Sequence, residues 1–387
     1  MNHYSFAADR PTEKYHKTDM GFLVALFLLW GIGIFAMFVC SQNYAMRAFN
    51  NPYHFLQRQL IYSGMGFILF AFFLFMDMKY IKKLVIVVVL FSVLLCLLVF
   101  IPPLSVERNG ARRWLRFPFK MTFQPSELVK FSMVLFLANY FDKEFEKENE
   151  DDRTVLPCVI GFLILVLLVL FEKDFSTSIF LIGIGVLMFF VSGTKLKWIW
   201  PFLIFSIPIT FLVITSEKYR IDRIIGFLRP SEGASTYNFQ SIASKNAISA
   251  GGFWGVGIGQ NLRRLNSIPE VQADYIFAGW SEAMGYVGVL AYLLLLGFFT
   301  WRGYRTAFRT PNRFAAYGSF GCISIIFLQS VLNCMVVGGL LPSTGIPLPF
   351  FSGGGSSIII TLGMCGFVLN ASRCEPMDIN NGNYFNV

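Results

Sequence analysis

The sequence predicts an all-α polytopic membrane protein of about ten transmembrane helices, with a long loop between the seventh and eighth. Three observations predict it. Of the 387 residues, 55% are hydrophobic and only 14% charged, against roughly 25% charged in an average soluble domain. Phe alone occurs 44 times, more than a soluble core needs, and the mean hydropathy is +0.58. The apolar residues also fall into long unbroken runs, near 20–41, 57–76, 82–101, 125–141, 155–171, 175–193, 197–215, 274–300, 315–338 and 356–372. A helix crossing the hydrocarbon core needs about 20 mostly apolar residues. Runs this long and continuous rule out strands as the spanning elements. The segments 125–141 and 356–372 are the shortest and most polar.

A soluble chain of this length would divide into two or three domains; composition overrides that. The organisation expected is a tail at 1–18, one ten-helix domain over 19–372 that includes a loop at 216–273, and a tail at 373–387. About eighteen polar residues precede the first run and no small-x-small cleavage site follows it, so the first span is expected to stay in the mature protein. Orientation follows the cations of short loops. Lys79, Lys82 and Lys83, then Lys195 and Lys197, then Arg302, Arg305, Arg309 and Arg313 lie on one side of a ten-span frame. That side is read as the cytoplasm, and both termini share it. The acidic stretch 142–152 falls there too, as a solvated turn.

Several function classes drop out. The net charge of +9 is read as topology and attraction to lipid head groups rather than nucleic-acid binding. The seven Cys contain no CxxC pair and mostly lie in apolar runs, where Cys acts as a small hydrophobe. Two of the three His, His3 and His16, are in the N-terminal tail and the third is His54, which argues against a Ser-His-Asp site or a His-rich metal centre. The glycine-rich stretch 251–259 lacks a preceding strand and a GK[ST] ending, so it is not a nucleotide loop. No organic cofactor is expected. A close-packed loop beside a head group is the better reading of that stretch.

The opposite side carries the chemistry. The short loop 102–124 holds Arg108, Arg112, Arg113, Arg116 and Lys120, and the long loop 216–273 holds Arg220, Arg223, Arg229, Lys245, Arg263 and Arg264. Cations in a short outer loop oppose the topology rule. Either other loops dominate orientation, or these cations face an anionic ligand; the planar fork of Arg suits phosphate. Glu127 and Lys130 share a helix face at the start of the fourth span, as a structural pair or as the polar floor of a substrate cavity. Glu172, Lys173 and Asp174 form a turn between two spans. Asp274 is either the cap of the eighth span or a carboxylate at the water–lipid boundary able to act as a base. Glu282 lies two turns deeper and is harder to read as a cap. Arg58, between Gln57 and Gln59, either snorkels to head groups or meets substrate. The segment 338–357, dense in Gly, Pro and Ser yet apolar, reads as a structured loop lining a cavity.

These motifs combine. Asn109-Gly110-Ala111-Arg112-Arg113-Trp114, followed by Gln124-Pro125-Ser126-Glu127-Leu128-Val129-Lys130, then Pro269-Glu270 with Asp274-Tyr275-Ile276-Phe277-Ala278, and finally the stretch from Gly339 to Phe350, resemble in order and spacing the SEDS family of bacterial peptidoglycan glycosyltransferases, the FtsW/RodA type. The resemblance covers nearly the whole chain. It implies polymerisation of lipid II, a disaccharide-peptide on undecaprenyl pyrophosphate, in the cytoplasmic (inner) membrane. It implies Asp274 as the catalytic residue, Glu127 and Lys130 in the central cavity, and Arg112 and Arg113 on the outer-loop motif. The catalytic candidates are therefore Asp274, Glu127 and Lys130. The substrate-binding candidates are Arg58, Arg112, Arg113, Asp174, Glu282, Pro347 and Ser356. The leaving pyrophosphate calls for cations and for a divalent metal such as Mg or Mn, with no ligand set assigned.

The sequence departs from the family pattern at Gln272-Ala273 for His-Thr, at Ala283 in Glu-Glu-Leu-Gly, at Gly353 for Tyr, and at Lys173-Asp174-Phe175-Ser176 for Pro-Asp-Leu-Gly. The main carboxylate survives in each motif that has one. Phe253-Trp254-Gly255-Val256-Gly257 favours the FtsW-like division branch over the elongation branch. The family implies a single-pass class B penicillin-binding protein as partner, with other division or elongation proteins. A lipid-precursor flippase and a scaffold with a decayed site are the competing readings.

Overall fold

The computed structural model describes residues 18–108, 111–118, 121–145, 155–193, 221, 223, 225, 227, 236–258 and 271–373. The seventh predicted span, 197–215, both tails, Pro269-Glu270 and most of the 216–273 loop lie outside the described residues. Nine of the ten predicted spans appear as helices: α1 (Met20–Phe49), α2 (His54–Phe75), α3 (Met78–Leu98), α4 (Pro125–Phe145), α5 (Leu156–Phe171), α6 (Phe175–Val191), α8 (Ile276–Arg309), α9 (Arg313–Val337) and α10 (Gly355–Ala371). Two elements sit inside predicted loops. A three-stranded antiparallel sheet, β1 (Ser105–Arg108), β2 (Ala111–Phe117) and β3 (Met121–Phe123), fills the 102–124 segment, and α7 (Thr236–Gly251) lies in the long loop.

The sheet is a small addition to the helical membrane domain. Its apolar anchor is Leu115, packed with Leu95 and Val99 at the end of α3, so the strands are seated on the bundle. This end of the molecule is called the sheet face below. Successive helices alternate between it and the opposite face.

Among the described residues, α1, α2, α3, α8 and α9 are long and apolar enough to cross a membrane, while α5, α6 and α10 are apolar but shorter. Large apolar side chains point outward on the peripheral helices; Ile68 is 72% and Phe75 74% exposed. Apolar surface on that scale belongs in lipid, where every spanning backbone group is satisfied within its helix. The protein is a multi-pass membrane protein. The centre is built from α4, α9 and α10, whose residues are mostly buried. That explains why α4 and α10 read as the least apolar runs: they face protein on most sides, so hydroxyls and small residues are tolerated. The α2–α10 pair closes over Gly366, where a Cβ would stand 2.3 Å from the Phe70 carbonyl oxygen. Small residues let helix backbones approach closely in membranes.

Local sequence sets the helix ends. Asp19 caps α1, accepting from the Phe22 amide at 2.8 Å, and also receives Arg302 from the end of α8 at 2.6 Å. Asn370 donates to the Phe73 and Met76 carbonyls at 2.7 and 2.6 Å, tying α10 to the end of α2. Lys82 pairs with Asp142, so the acidic stretch begins inside α4 rather than in a turn. These contacts close the opposite face.

The eighth span runs to Arg309 rather than 300 and is broken at Gly285, with φ 62° and ψ −161°. Residues 252–257 close the break. The Val256 and Gly257 amides donate to the Glu282 and Ala283 carbonyls at 2.9 and 3.1 Å, and the Tyr286 and Val287 amides donate to Gly252 and Phe253 at 2.9 and 3.2 Å. The glycine-rich stretch is thus a backbone clamp on a discontinuous helix. A Cβ at Gly285 would stand 2.3 Å from the Gly255 amide nitrogen, on a backbone conformation that disfavours side chains. Gly285→Ala should cost about 1–3 kcal/mol and lower the thermal midpoint in detergent. Gly183→Ala, with nothing within 4 Å of its Cβ, should not. Equal midpoints for the two variants would show that the clamp contributes nothing.

Candidate active site

The site lies at the sheet face, where the first turns of α4, the α5–α6 turn, the segment before α8 and the 338–354 loop converge. Pro125 at the first helical position starts α4 with its fixed φ and no wasted donor. The next turns then present Ser126, Glu127 and Lys130. Lys130 Nζ lies 2.8 Å from Glu127 Oε2 and donates to Gln329 Oε1 of α9 at 2.8 Å. Both charges are buried, Lys130 at 2% and Glu127 at 4% exposure. The structural-pair and cavity-floor readings of Glu127 and Lys130 therefore meet: the pair is a buried, internally neutralised floor.

Asp174 caps α6 through the Thr177 amide and accepts from Gln124 Nε2 at 2.9 Å and Ser126 Oγ at 3.2 Å. Arg113 reaches the same turn, donating to the Lys173 carbonyl and standing 3.9 Å from Asp174. The strand register explains this. Val106 pairs with Trp114 and Glu107 with Arg112, so Arg113 is the extra residue of a bulge, and a bulge re-aims its side chain. Its neighbour Arg112 instead pairs with Glu107 at 3.2 Å on the exposed surface. The two arginines read together from the sequence are thus separated. Arg113 braces the α5–α6 turn and Arg112 stays outward.

Asp274 lies before α8. The helix cap is Tyr275, with no side-chain capping bond, so the cap reading of Asp274 is not the arrangement found. Its carbonyl accepts from Asn333 Nδ2 at 2.9 Å, and the same amide nitrogen donates to the Ile346 carbonyl at 2.9 Å. Asp274 Oδ2 stands 3.5 Å from where a Cβ of Gly345 would be, and Gly345 has φ +74°. Asp274 is half-buried, unlike the enclosed Glu127 and Lys130. Gln329 Nε2 donates to the Pro347 carbonyl at 2.9 Å, and Ser356 Oγ accepts from the Gln124 amide at 2.7 Å. Pro347 and Ser356 therefore act here through backbone-anchoring bonds, with Pro347 presenting its carbonyl inward. Arg58 is half-buried at the start of α2, where the adjacent Gln59 holds the Ser352 carbonyl at 3.2 Å. Glu282 is buried just before the break in α8, near Cys40 of α1.

Gln329 and Asn333 are the residues that sequence reading missed. They lie four apart in the otherwise apolar ninth span, and two amides at helical spacing in such a run were the available signal.

Glu172 adds a titrating group beside the site. It is 1% exposed, and neither carboxylate oxygen has a hydrogen-bond partner. Burial pushes its carboxyl from 4.5 up to about 8; the Cys96 thiol opposes this without reaching hydrogen-bond geometry, Asp174 reinforces it and Arg113 opposes it. The folded state then holds this proton more tightly than the unfolded chain. Its contribution to stability is fully present below 4.5, falls as pH rises, and is lost through about 8. Glu172→Gln should remove that slope. The variant's midpoint relative to wild type should be higher at pH 8.5 than at pH 4.5, by on the order of 5 °C. A difference that does not change with pH would overturn this.

Residues 20–376 match the family model FTSW_RODA_SPOVE, described as "Cell cycle protein". "Probable peptidoglycan glycosyltransferase FtsW" of Borreliella burgdorferi is 32% identical, the match covering 91% of this chain and 96% of that protein. "Stage V sporulation protein E" of Bacillus subtilis is 33% identical over 94% and 99%. Among solved structures, a chain from a study of "structural coordination of polymerization and crosslinking by a peptidoglycan synthase complex" superposes with TM-score 0.73 at 25% identity, covering 93% of this chain and 98% of that one. The rod shape determining protein RodA of Thermus thermophilus gives TM-score 0.67 at 24% identity, over 92% and 97%, and speaks for the fold. With the family matched from the first helix to beyond the last, over the segments that carry Asp274, Glu127 and Lys130, this chain belongs to the FtsW/RodA/SpoVE family.

Proposed function

We propose that this protein is a peptidoglycan glycosyltransferase that polymerises lipid II into glycan strands during bacterial cell division. The observation that carries the reading is Asp274: a half-buried carboxylate whose main chain is fixed by Asn333 and whose Oδ2 faces Gly345 of the 338–354 loop. In this reading Asp274 takes the proton from a sugar hydroxyl of the acceptor. That oxygen bonds to the anomeric carbon of the donor as the carbon–oxygen bond to undecaprenyl pyrophosphate breaks. A single displacement converts the α-linked donor to a β-linked product. In this reading Arg58 and Arg112 supply cations to the pyrophosphate, Arg112 from the exposed surface where it now pairs with Glu107. Arg113 and Asp174 hold the wall of the site, while Glu127 and Lys130 form its floor. Glu282 lies deeper; Pro347 ties the covering 338–354 loop to Gln329, and Ser356 ties α10 to the segment before α4.

Among the described residues no three His, Cys, Asp or Glu side chains come together as a metal site, so these residues do not form a closed protein cage. A Mg or Mn ion would accompany the substrate, because such ions bind mainly through phosphate oxygens with one or two carboxylates. The ion would offset charge on the leaving group. Partnership with a single-pass class B penicillin-binding protein is supported by the likeness to a chain from a synthase complex. Family membership supports the cytoplasmic-membrane location, and the loop cations support an orientation with both termini and the Lys82–Asp142 face inside.

The test is glycan polymerisation from purified lipid II by the reconstituted protein with its transpeptidase and a divalent metal. Polymer supports the reading, and no polymer from folded protein overturns it. The break in α8 favours a second reading, a lipid-precursor flippase, since broken helices mark transport paths. Translocation of lipid II in liposomes without polymer would select it.

A further inference from the structure

The geometry points to Gln329 and Asn333 as positioning residues that lock the catalytic aspartate, the covering loop and the buried ion pair into one unit; this rests on the polymerase reading. The argument starts from donor and acceptor chemistry. Lys130 can only donate, and the Pro347 carbonyl can only accept. A side chain standing between them must accept at one end and donate at the other. Gln329 does so, with Oε1 on Lys130 and Nε2 on Pro347. The amide orientation is fixed by those partners rather than chosen freely. One turn along α9, the two protons of Asn333 Nδ2 go to the carbonyls of Asp274 and Ile346.

Both side chains are buried, so water cannot replace a lost partner cheaply. Two adjacent loop carbonyls, 346 and 347, are thereby hung on α9 by neighbouring amides. The same helix sets the main chain of Asp274. The distance between the base and the loop facing it is therefore set by one rigid element, and a site needs such support to hold reacting groups within tolerance. Neither amide touches the Asp274 carboxylate in these bonds, so neither is assigned a step in the chemistry.

The test compares wild type, Asn333→Ala, Asn333→Ser and Gln329→Glu in lipid II polymerisation with the partner transpeptidase, with kcat and KM separated and thermal midpoints recorded. Asn333→Ala should lower kcat about 30- to 100-fold, in line with the cost of small misplacement, with KM changed less than about threefold. Asn333→Ser, which keeps one donor, should fall between Ala and wild type, and it guards against a failure of the alanine variant to fold. Gln329→Glu keeps the acceptor for Lys130 and loses the donor for Pro347, so it should also lose kcat. Wild-type kcat in Asn333→Ala, or a loss confined to KM, overturns the positioning role. A loss of kcat in both Asn333 variants that simply follows their thermal midpoints overturns it too. An inactive wild type would instead sink the polymerase reading itself.

Discussion

Asp274→Asn should abolish polymerisation while leaving the protein inserted and folded. The side chains are nearly the same size, and the hydrogen bond from Asn333 to the Asp274 carbonyl does not involve the carboxylate. The change removes the proton acceptor and keeps this backbone anchor. General-base catalysis contributes about 10²- to 10⁴-fold, so loss of the base takes turnover below detection in a gel-based polymer assay. The thermal midpoint and association with the transpeptidase should stay near wild type. Glu282→Gln is the informative companion. Glu282 is buried two turns deeper, against α1, and its substitution should affect the midpoint as well as activity. Full polymer from Asp274→Asn would remove the aspartate from the mechanism and leave the site without its base.

Most of the helical frame was legible because lipid imposes a length and a composition on any segment that crosses it. Boundaries of α2, α5, α6, α9 and α10 fall within a few residues of the apolar runs for that reason. The signal failed where lipid was not the partner. The sheet in the 102–124 loop is stabilised by seating Leu115 on the end of α3, a tertiary contact with no period of its own in so short a segment. The break at Gly285 was hidden because it falls inside one long, mostly apolar run, 274–300. Only its pairing with 252–257 reveals why those glycines are there.

The site was legible as a set of residue types but not as a set of distances. Glu127 and Lys130 announce themselves as charges that spanning segments would otherwise avoid. Arg112 and Arg113 look equivalent in the sequence and are not, because one bulged residue separates their directions. Gln329 and Asn333 carry no charge and were passed over, although uncharged amides are well suited to bridge a lysine and three carbonyls. Glu172 reads as one residue of a polar hairpin, yet it is almost fully enclosed.

The Glu127–Lys130 pair allows structural and functional roles to be separated. Lys130→Met leaves the Glu127 carboxylate buried at 4% exposure without the ammonium 2.8 Å away. Breaking a buried pair from one side costs about 3–5 kcal/mol, because the remaining charge is uncompensated. The single variant should therefore lose both stability and polymerisation. Glu127→Gln combined with Lys130→Met removes both charges, and replacing a whole buried pair is often neutral for stability. The double variant should recover most of the thermal midpoint, a coupling that a double-mutant cycle measures directly. Its activity decides the role. If the pair is the polar floor under the pyrophosphate-linked sugar, the recovered fold stays inactive, because the field and the hydrogen-bond anchor for Gln329 are gone. Polymer from the recovered double variant would instead make Glu127 and Lys130 a structural pair, and would leave Asp274 to act with the arginines alone.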